Sequence, residues 1–315
     1  MNYETIKDAD LEIGLNHLRQ LVGNTPLWAV TGLHNNPKVK ISAKLEWNQL
    51  GSSVKARAAY FIISDAIQSG LLDGSKCLLD ATSGNTGIAY AQICAFLGLE
   101  LSIVLPENAS QERKEILSIL GAELIYSSKF GTTDEAQDKA LELSNQQPRR
   151  FYYADQYANE NNWKAHKETT AKEIIRQTHG EVTHFITGLG TTGTYIGTTI
   201  GLKSHDEKIQ CIGLQPESAL HGLEGWKHLE TAKVPAIYRN EIGDGLRTVY
   251  SQEAYDLIER AARTQGLLLS PSSAANLVGA IRLADEIDEG HIVTVFPDDA
   301  HIYMDVFKKV INSEK

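Results

Sequence analysis

The chain has 315 residues, 42% of them hydrophobic and 22% charged, which is ordinary for a globular protein with room for one large or two modest domains. No apolar run approaches the roughly 20 residues that cross a bilayer, and Met1 to Asp10 lack the basic start and apolar centre of a signal peptide, so a cytoplasmic protein without a membrane partner is expected. A formal net charge of −10, with no basic cluster denser than Arg149-Arg150 or Lys308-Lys309, excludes tracking of a nucleic-acid backbone.

Residues 39–45 read as a short strand, and 58–69, with apolar residues at helical spacing up to Gly70, as the helix after it. The alternation repeats at 77–81 into 87–98, 100–105 into 111–121, and 123–127 into 133–145. A second series follows the polar run 144–150: strands at 183–187, 209–215 and 291–296, helices at 195–202 and 251–265, and a polar irregular stretch at 216–246. Strands alternating with helices over short connections predict an α/β fold with mostly parallel sheets covered on both faces. Cys77, Cys94 and Cys211 are far apart and lack Cys-x-x-Cys spacing, so buried reduced thiols are expected. No set of His, Cys or carboxylates has metal-ligand spacing, and no metal is expected.

Chemistry concentrates in a few segments. In KLEWNQLGSSVKAR at 44–57, Gly51, Ser52 and Ser53 precede Lys55 at a helix start, where the macrodipole disfavours the ammonium charge. A solvated first-turn lysine explains this residue alone; the functional reading is an amine poised to become neutral and form a Schiff base. In TSGNTG at 82–87, Ser83, Asn85 and Thr86 offer donors between Gly84 and Gly87, a carboxylate cradle or else a plain capped turn. TGLGTTGT at 187–194 follows a strand and precedes a helix, so converging amides and threonine hydroxyls suit a phosphate. Its Gly188-x-Gly190-x-x-Gly193 spacing also brushes the dinucleotide fingerprint, but no acidic ribose partner stands at the expected distance. LLLSPSSAAN at 267–276 reads as a strand and a capped helix, or as a buried serine facing a heterocyclic nitrogen.

These segments, with Gly-Asn-Thr-Pro-Leu at 23–27 and the Ser53-x-Lys55-x-Arg57 context, resemble the cysteine-synthase and cystathionine β-synthase family over nearly the whole chain. That family is the β-replacing branch of fold type II pyridoxal-phosphate (PLP) enzymes. The resemblance implies a tryptophan-synthase-β-like pair of three-layer α/β/α domains. The smaller would span 35–150 and carry the carboxylate loop; the larger would take 13–34 plus 151–315 and carry the phosphate loop.

By the same resemblance Lys55 holds the cofactor, Asn85 bonds its phenolic oxygen, and Thr82, Ser83, Gly84, Thr86 and Gln156 hold the substrate carboxylate. Gly190, Thr191, Thr192, Gly193 and Thr194 take the phosphate. Ser272 faces the pyridine nitrogen, or Ser273 if the register slips by one; a serine there leaves that nitrogen largely unprotonated and suits elimination. The implied reaction is β-replacement on O-acetyl- or O-phosphoserine. The freed Lys55, a neutral base, removes the α-proton, an aminoacrylate forms, and a small nucleophile, most often sulfide, adds to give L-cysteine. A homodimer, and a cleft able to take a serine acetyltransferase tail, are further implications.

The chain departs from the family at Gln49-Leu50, where relatives carry Asn-Pro, and at Thr192, where many carry glycine. GLEGWKHL at 222–229 and PDDAHIY at 297–303 differ where substrate identity is set, which places Gly225 and Trp226 among the substrate-binding candidates. A non-thiol nucleophile giving a diaminopropionate-like product, a serine or threonine dehydratase, and an idle binder are the rival readings.

Overall fold

The computed structural model describes residues 8–129 and 133–303. In chain order the elements are α1 (Asp8–Arg19), β1 (Leu27–Val30), β2 (Val39–Leu45), α2 (Lys55–Gln68), β3 (Cys77–Ala81), α3 (Asn85–Leu97), β4 (Leu101–Pro106), α4 (Gln111–Ile119), β5 (Glu123–Ser127) and α5 (Thr133–Gln146). There follow β6 (Phe151–Tyr153), α6 (Glu160–His166), a π-turn at Lys167–Ala171, α7 (Lys172–Gln177), β7 (His184–Gly188), α8 (Gly193–His205), β8 (Gln210–Pro216), β9 (Gly245–Val249), α9 (Ser251–Gln265), α10 (Pro271–Glu286) and β10 (Gly290–Phe296).

The chain forms two compact units. The first comprises the described residues up to Gly23, Gln49–Gly51 and Lys55–Asn162. Its sheet is parallel throughout, in the order β5-β4-β3-β6. Every residue of β3 and β4 is buried, as expected of apolar runs covered by helices on both faces. Leu11, Leu15 and Leu18 of α1 join Ile62, Ile63 and Ile93 in one core, and Ala136 and Ala140 of α5 close another over Leu79 and Val104. From β3 the chain runs outward through β4 to β5, then returns to β6 on the opposite side of β3. The strand order switches between β3 and β6, and open α/β sheets place ligands at the carboxyl ends of the strands at such a switch.

The second unit comprises Asn24–Asn48, Ser52–Val54 and the described residues from Trp163 onward. Its sheet has the order β1-β2-β10-β7-β8-β9, parallel except for the edge pair β1 and β2. Ile41, Ile186, Leu214 and Ile292 from the strands meet Leu257, Ile258, Leu277 and Leu283 of α9 and α10 in the largest core, and Phe185, Val293 and Ile174 build the layer opposite. The strand order switches between β7 and β10. Beneath the edge pair, Lys44 is wholly buried and its ammonium donates to Glu173 at 2.7 Å, the Thr25 carbonyl at 2.6 Å and Gln177 at 2.9 Å.

This division departs from the expected 35–150 domain. β2 pairs with β10 from Val39↔Gly290 to Leu45↔Phe296, which assigns it to the second sheet. α1 buries its leucines in the first unit, although 13–34 was expected in the larger domain, and β6 extends the first sheet beyond residue 150 by pairing with β3. The strand expected at 267–269 is a single bridge, Leu269↔Asp299. The helix after it starts as read: Ser270 accepts the Ser273 N–H at 3.1 Å, and Pro271 occupies the first turn.

Cys77, Cys94 and Cys211 are free and buried. Burial pushes the Cys77 thiol up to about 11 and the Cys211 thiol up to about 12, and raises Cys94 further still. Among the described residues no helix is long and apolar enough to cross a membrane, and no group of three or more His, Cys, Asp or Glu is arranged to hold a metal ion.

Candidate active site

Lys55 is the first residue of α2. The turn before it is forced by Gly51 at φ +71 and Ser52 at φ +47. α2 packs on α3, and a Cβ on Gly51 would stand 3.3 Å from that of Ala89 in the second turn of α3. The lysine therefore enters its helix beside the element that begins with the Asn85-Thr86-Gly87 run. No acidic residue occupies the first turn of α2, so the positive helix end is not neutralised within the helix.

The 82–87 turn lies at the β3/β6 switch. α3 starts at Asn85 after Gly84, which has no side chain to cap it, and the Gly87 N–H turns back to the Gly84 carbonyl at 3.0 Å. Thr82 accepts the Gly84 N–H at 3.2 Å, and the buried Arg113 donates to the Ser83 carbonyl at 3.2 Å, which fixes the turn from both sides. Thr86 donates to the Gln156 side-chain carbonyl at 2.7 Å, and the Gln156 amide donates to the Ala81 carbonyl at 3.0 Å. The first unit thus brings Lys55, Thr82 to Thr86 and Gln156 together on one scaffold.

The second unit holds the remaining candidates. The loop 189–192 joins β7 to α8 at the β7/β10 switch. Thr192 stands at φ +70, a left-handed conformation that costs a non-glycine residue about 1–3 kcal/mol and tends to persist at ligand sites. Its buried hydroxyl has no hydrogen-bond partner and does not cap α8. A Cβ on Gly190 would lie 2.1 Å from the Gly225 carbonyl oxygen, so only glycine lets the two backbones meet. An uncapped helix start, an unpartnered buried hydroxyl and a close backbone approach fit a bound phosphate. Behind the loop, Asn276 accepts the Gly188 N–H at 2.7 Å and donates to the Val295 carbonyl at 2.7 Å.

Ser270, Ser272 and Ser273 all turn toward Asp298. Ser270 donates to its carboxylate at 2.5 Å, Ser272 reaches the same oxygen at 3.2 Å, Ser273 donates to its backbone carbonyl at 2.7 Å, and Tyr303 donates to the other carboxylate oxygen at 2.6 Å. Of the two alternatives, Ser273 is wholly buried with its proton committed to a carbonyl, whereas Ser272 keeps some exposure and the longest of these bonds.

Trp226, expected among the substrate-binding residues, lies in the core. Its indole packs against the Gly188 backbone within the main core at 8% exposure, so it supports the start of the β7–α8 connection. Gly225 meets Gly190 in the same layer. His166, which sequence reasoning missed, bonds Thr194 at 3.3 Å through one ring nitrogen and Thr170 at 2.9 Å through the other. The π-turn that brings Thr170 round has no signal in the sequence.

A family model described as pyridoxal-phosphate dependent enzyme matches residues 18–298. The chain belongs to this family. Among curated members, the cysteine synthase of Aquifex aeolicus is 41% identical over 90% of this chain and 89% of its own length. The solved cysteine synthase of Entamoeba histolytica superposes with a TM-score of 0.86 at 29% identity, covering 94% of each chain. The O-acetylserine-dependent cystathionine β-synthase of Helicobacter pylori gives 0.85 at 30% identity, over 91% of this chain and 96% of that one. This member of the pyridoxal-phosphate-dependent family is therefore an enzyme, with pyridoxal phosphate as its cofactor and the α/β architecture read from its sequence.

Proposed function

We propose that this enzyme is a cysteine synthase, replacing the β-substituent of an activated L-serine with sulfide to give L-cysteine. The observation that carries the reading is the Thr82–Gly87 turn, uncapped and tied by Thr86 to Gln156, on the scaffold whose α2 begins at Lys55. Bound pyridoxal phosphate supplies an electron sink for the pair left at the substrate α-carbon. In this reading Lys55 would hold the cofactor, and its amine would take the α-proton. Asn85 bonds the phenolic oxygen, and Gly190, Thr191, Thr192, Gly193 and Thr194 hold the phosphate at the start of α8. Ser272 faces the ring nitrogen with Asp298 behind it.

Thr82, Ser83, Gly84, Thr86 and Gln156 hold the substrate carboxylate, which orients the Cα–H bond toward Lys55 and the β-substituent away from it. A cytoplasmic homodimer, able to seat an acyltransferase tail where the substrate carboxylate binds, belongs to the same reading.

The test is product analysis. Purified enzyme loaded with pyridoxal phosphate is given O-acetylserine or O-phosphoserine with sulfide, and cysteine is the expected product with at least one of them. No cysteine from either donor, with an amine adduct formed instead, would replace this reading by the non-thiol one; keto acid without any nucleophile would replace it by a dehydratase.

A further inference from the structure

One buried carboxylate in the first unit belongs to neither loop. Asp80 lies one residue before the end of β3 and is wholly buried. One of its oxygens accepts the Ala81 N–H at 2.8 Å, and the other accepts the Gln156 N–H at 3.3 Å. It thus spans the strand-order switch, from β3 to the turn that follows β6. That turn is tight, with Asp155 at φ +44, and it presents the Gln156 N–H toward β3. Gln156 is held a second time by its own amide on the Ala81 carbonyl at 3.0 Å and a third time by Asn162, which donates to its backbone carbonyl at 2.6 Å. What remains of Gln156 is the side-chain oxygen that receives the Thr86 hydroxyl.

A buried carboxylate here is expensive. Its electrostatic neighbours are Asp155 on the turn, Tyr90 of α3, Tyr152 and Tyr153 of β6, and Tyr157 beyond the turn, and burial above all pushes its carboxyl up to about 7. An apolar residue would avoid that cost but would leave the Gln156 N–H without an acceptor. Only a group with two acceptor atoms takes both backbone donors, and the carboxylate is the side chain that has two and no donor.

We propose that Asp80 is a positioning residue for substrate: it fixes Gln156, and through Gln156 the Thr86 hydroxyl, so that the carboxylate cradle is formed before the amino acid arrives. The inference rests on the reading of Thr86 and Gln156 as substrate-carboxylate ligands. Asp80→Asn keeps the size but turns an amide donor toward one of the two N–H groups. The expected result is a KM for the amino-acid donor raised about tenfold, with kcat and the absorbance of the bound cofactor nearly unchanged, because the lost contact lies behind a substrate ligand. In a Gln156→Ala background the same substitution should add less than about twofold, since the two act through one group.

The wild-type KM supplies a measurement that does not depend on the variant folding. Protonated Asp80 accepts more weakly from the two backbone donors than the carboxylate does, so KM should rise about tenfold as pH falls from about 8 to about 6, and the Asp80→Asn variant should lack this rise. An unchanged KM in Asp80→Asn, additive effects with Gln156→Ala, or a wild-type KM flat across that range would overturn the proposal while leaving cysteine synthesis standing. A wild-type enzyme that takes up cofactor but does not respond to the donor would overturn the functional reading and this inference together.

Discussion

Gly188 and Trp226 compete for the same space: a Cβ on Gly188 would stand 2.0 Å from the indole ring. The tryptophan therefore packs under the β7 end of the 189–192 loop. Trp226→Ala should destabilise the protein by about 3–5 kcal/mol, the usual cost of emptying a large aromatic site. It should leave the preference between O-acetylserine and O-phosphoserine within about threefold of wild type. Denaturant unfolding and paired kcat/KM measurements check both; a large shift in donor preference with full stability would return Trp226 to the substrate pocket.

At Gly190 the obstruction is backbone. Because the Gly225 carbonyl cannot rotate away as a side chain would, Gly190→Ala must displace the loop, an overpacking cost of about 1–3 kcal/mol. The loss should appear as weaker cofactor affinity, by about tenfold or more, in a titration of cofactor-free protein with pyridoxal phosphate followed by absorbance.

Lys44 and Lys55 lie in one sequence segment but differ in kind. Lys55→Ala should abolish the near-visible absorbance of bound cofactor and reduce cysteine formation by at least about a thousandfold, with stability little changed. Lys44→Ala leaves Glu173 buried without its ammonium partner, and should cost about 3–5 kcal/mol while the absorbance of whatever protein folds is retained. That cost should be the same at low and high salt, since a buried pair is poorly screened.

Asp80 gives stability an unusual pH dependence. Its carboxyl is raised from 3.8 to about 7 by burial, so between those values the folded chain holds a proton that the unfolded chain has released. Stability contributed by this group is therefore greatest below about 4 and is lost as pH rises toward 7, by an amount on the order of a few kcal/mol. Urea midpoints measured across this range for wild type and Asp80→Asn check it: the difference between the two curves should slope downward with pH and flatten above about 7.

The central strands of both sheets were legible because runs such as LSIVLP and IVTVF are mostly apolar, as expected of strands covered on both faces. The strand-to-helix turns at 82–87 and 187–194 were legible for a related reason, since runs of glycine and hydroxyl residues between a buried strand and a helix mark a tight connection. What escaped depends on distant partners. β1 and β9 are edge strands with only one buried residue each, and their character comes from pairing with β2 and β8. The assignment of β2 to the second sheet is decided by residues 290–296, far along the chain. Trp226 reads as a substrate-binding candidate because the 222–229 segment departs from the family where substrate identity is set; where its ring packs depends on the missing Cβ of Gly188, distant in sequence.

The chemistry proposed here handles sulfide and delivers a thiol, yet the protein's own sulfurs sit behind closed packing with their thiolate forms suppressed. Thiol exchange begins with a thiolate, so Cys77, Cys94 and Cys211 are poor partners for mixed disulfides with the product or with persulfides formed from its co-substrate. The catalyst is in effect chemically blind to what it makes. For the experimenter the same feature means that a single cysteine introduced on the surface would accept a maleimide probe against a nearly silent background.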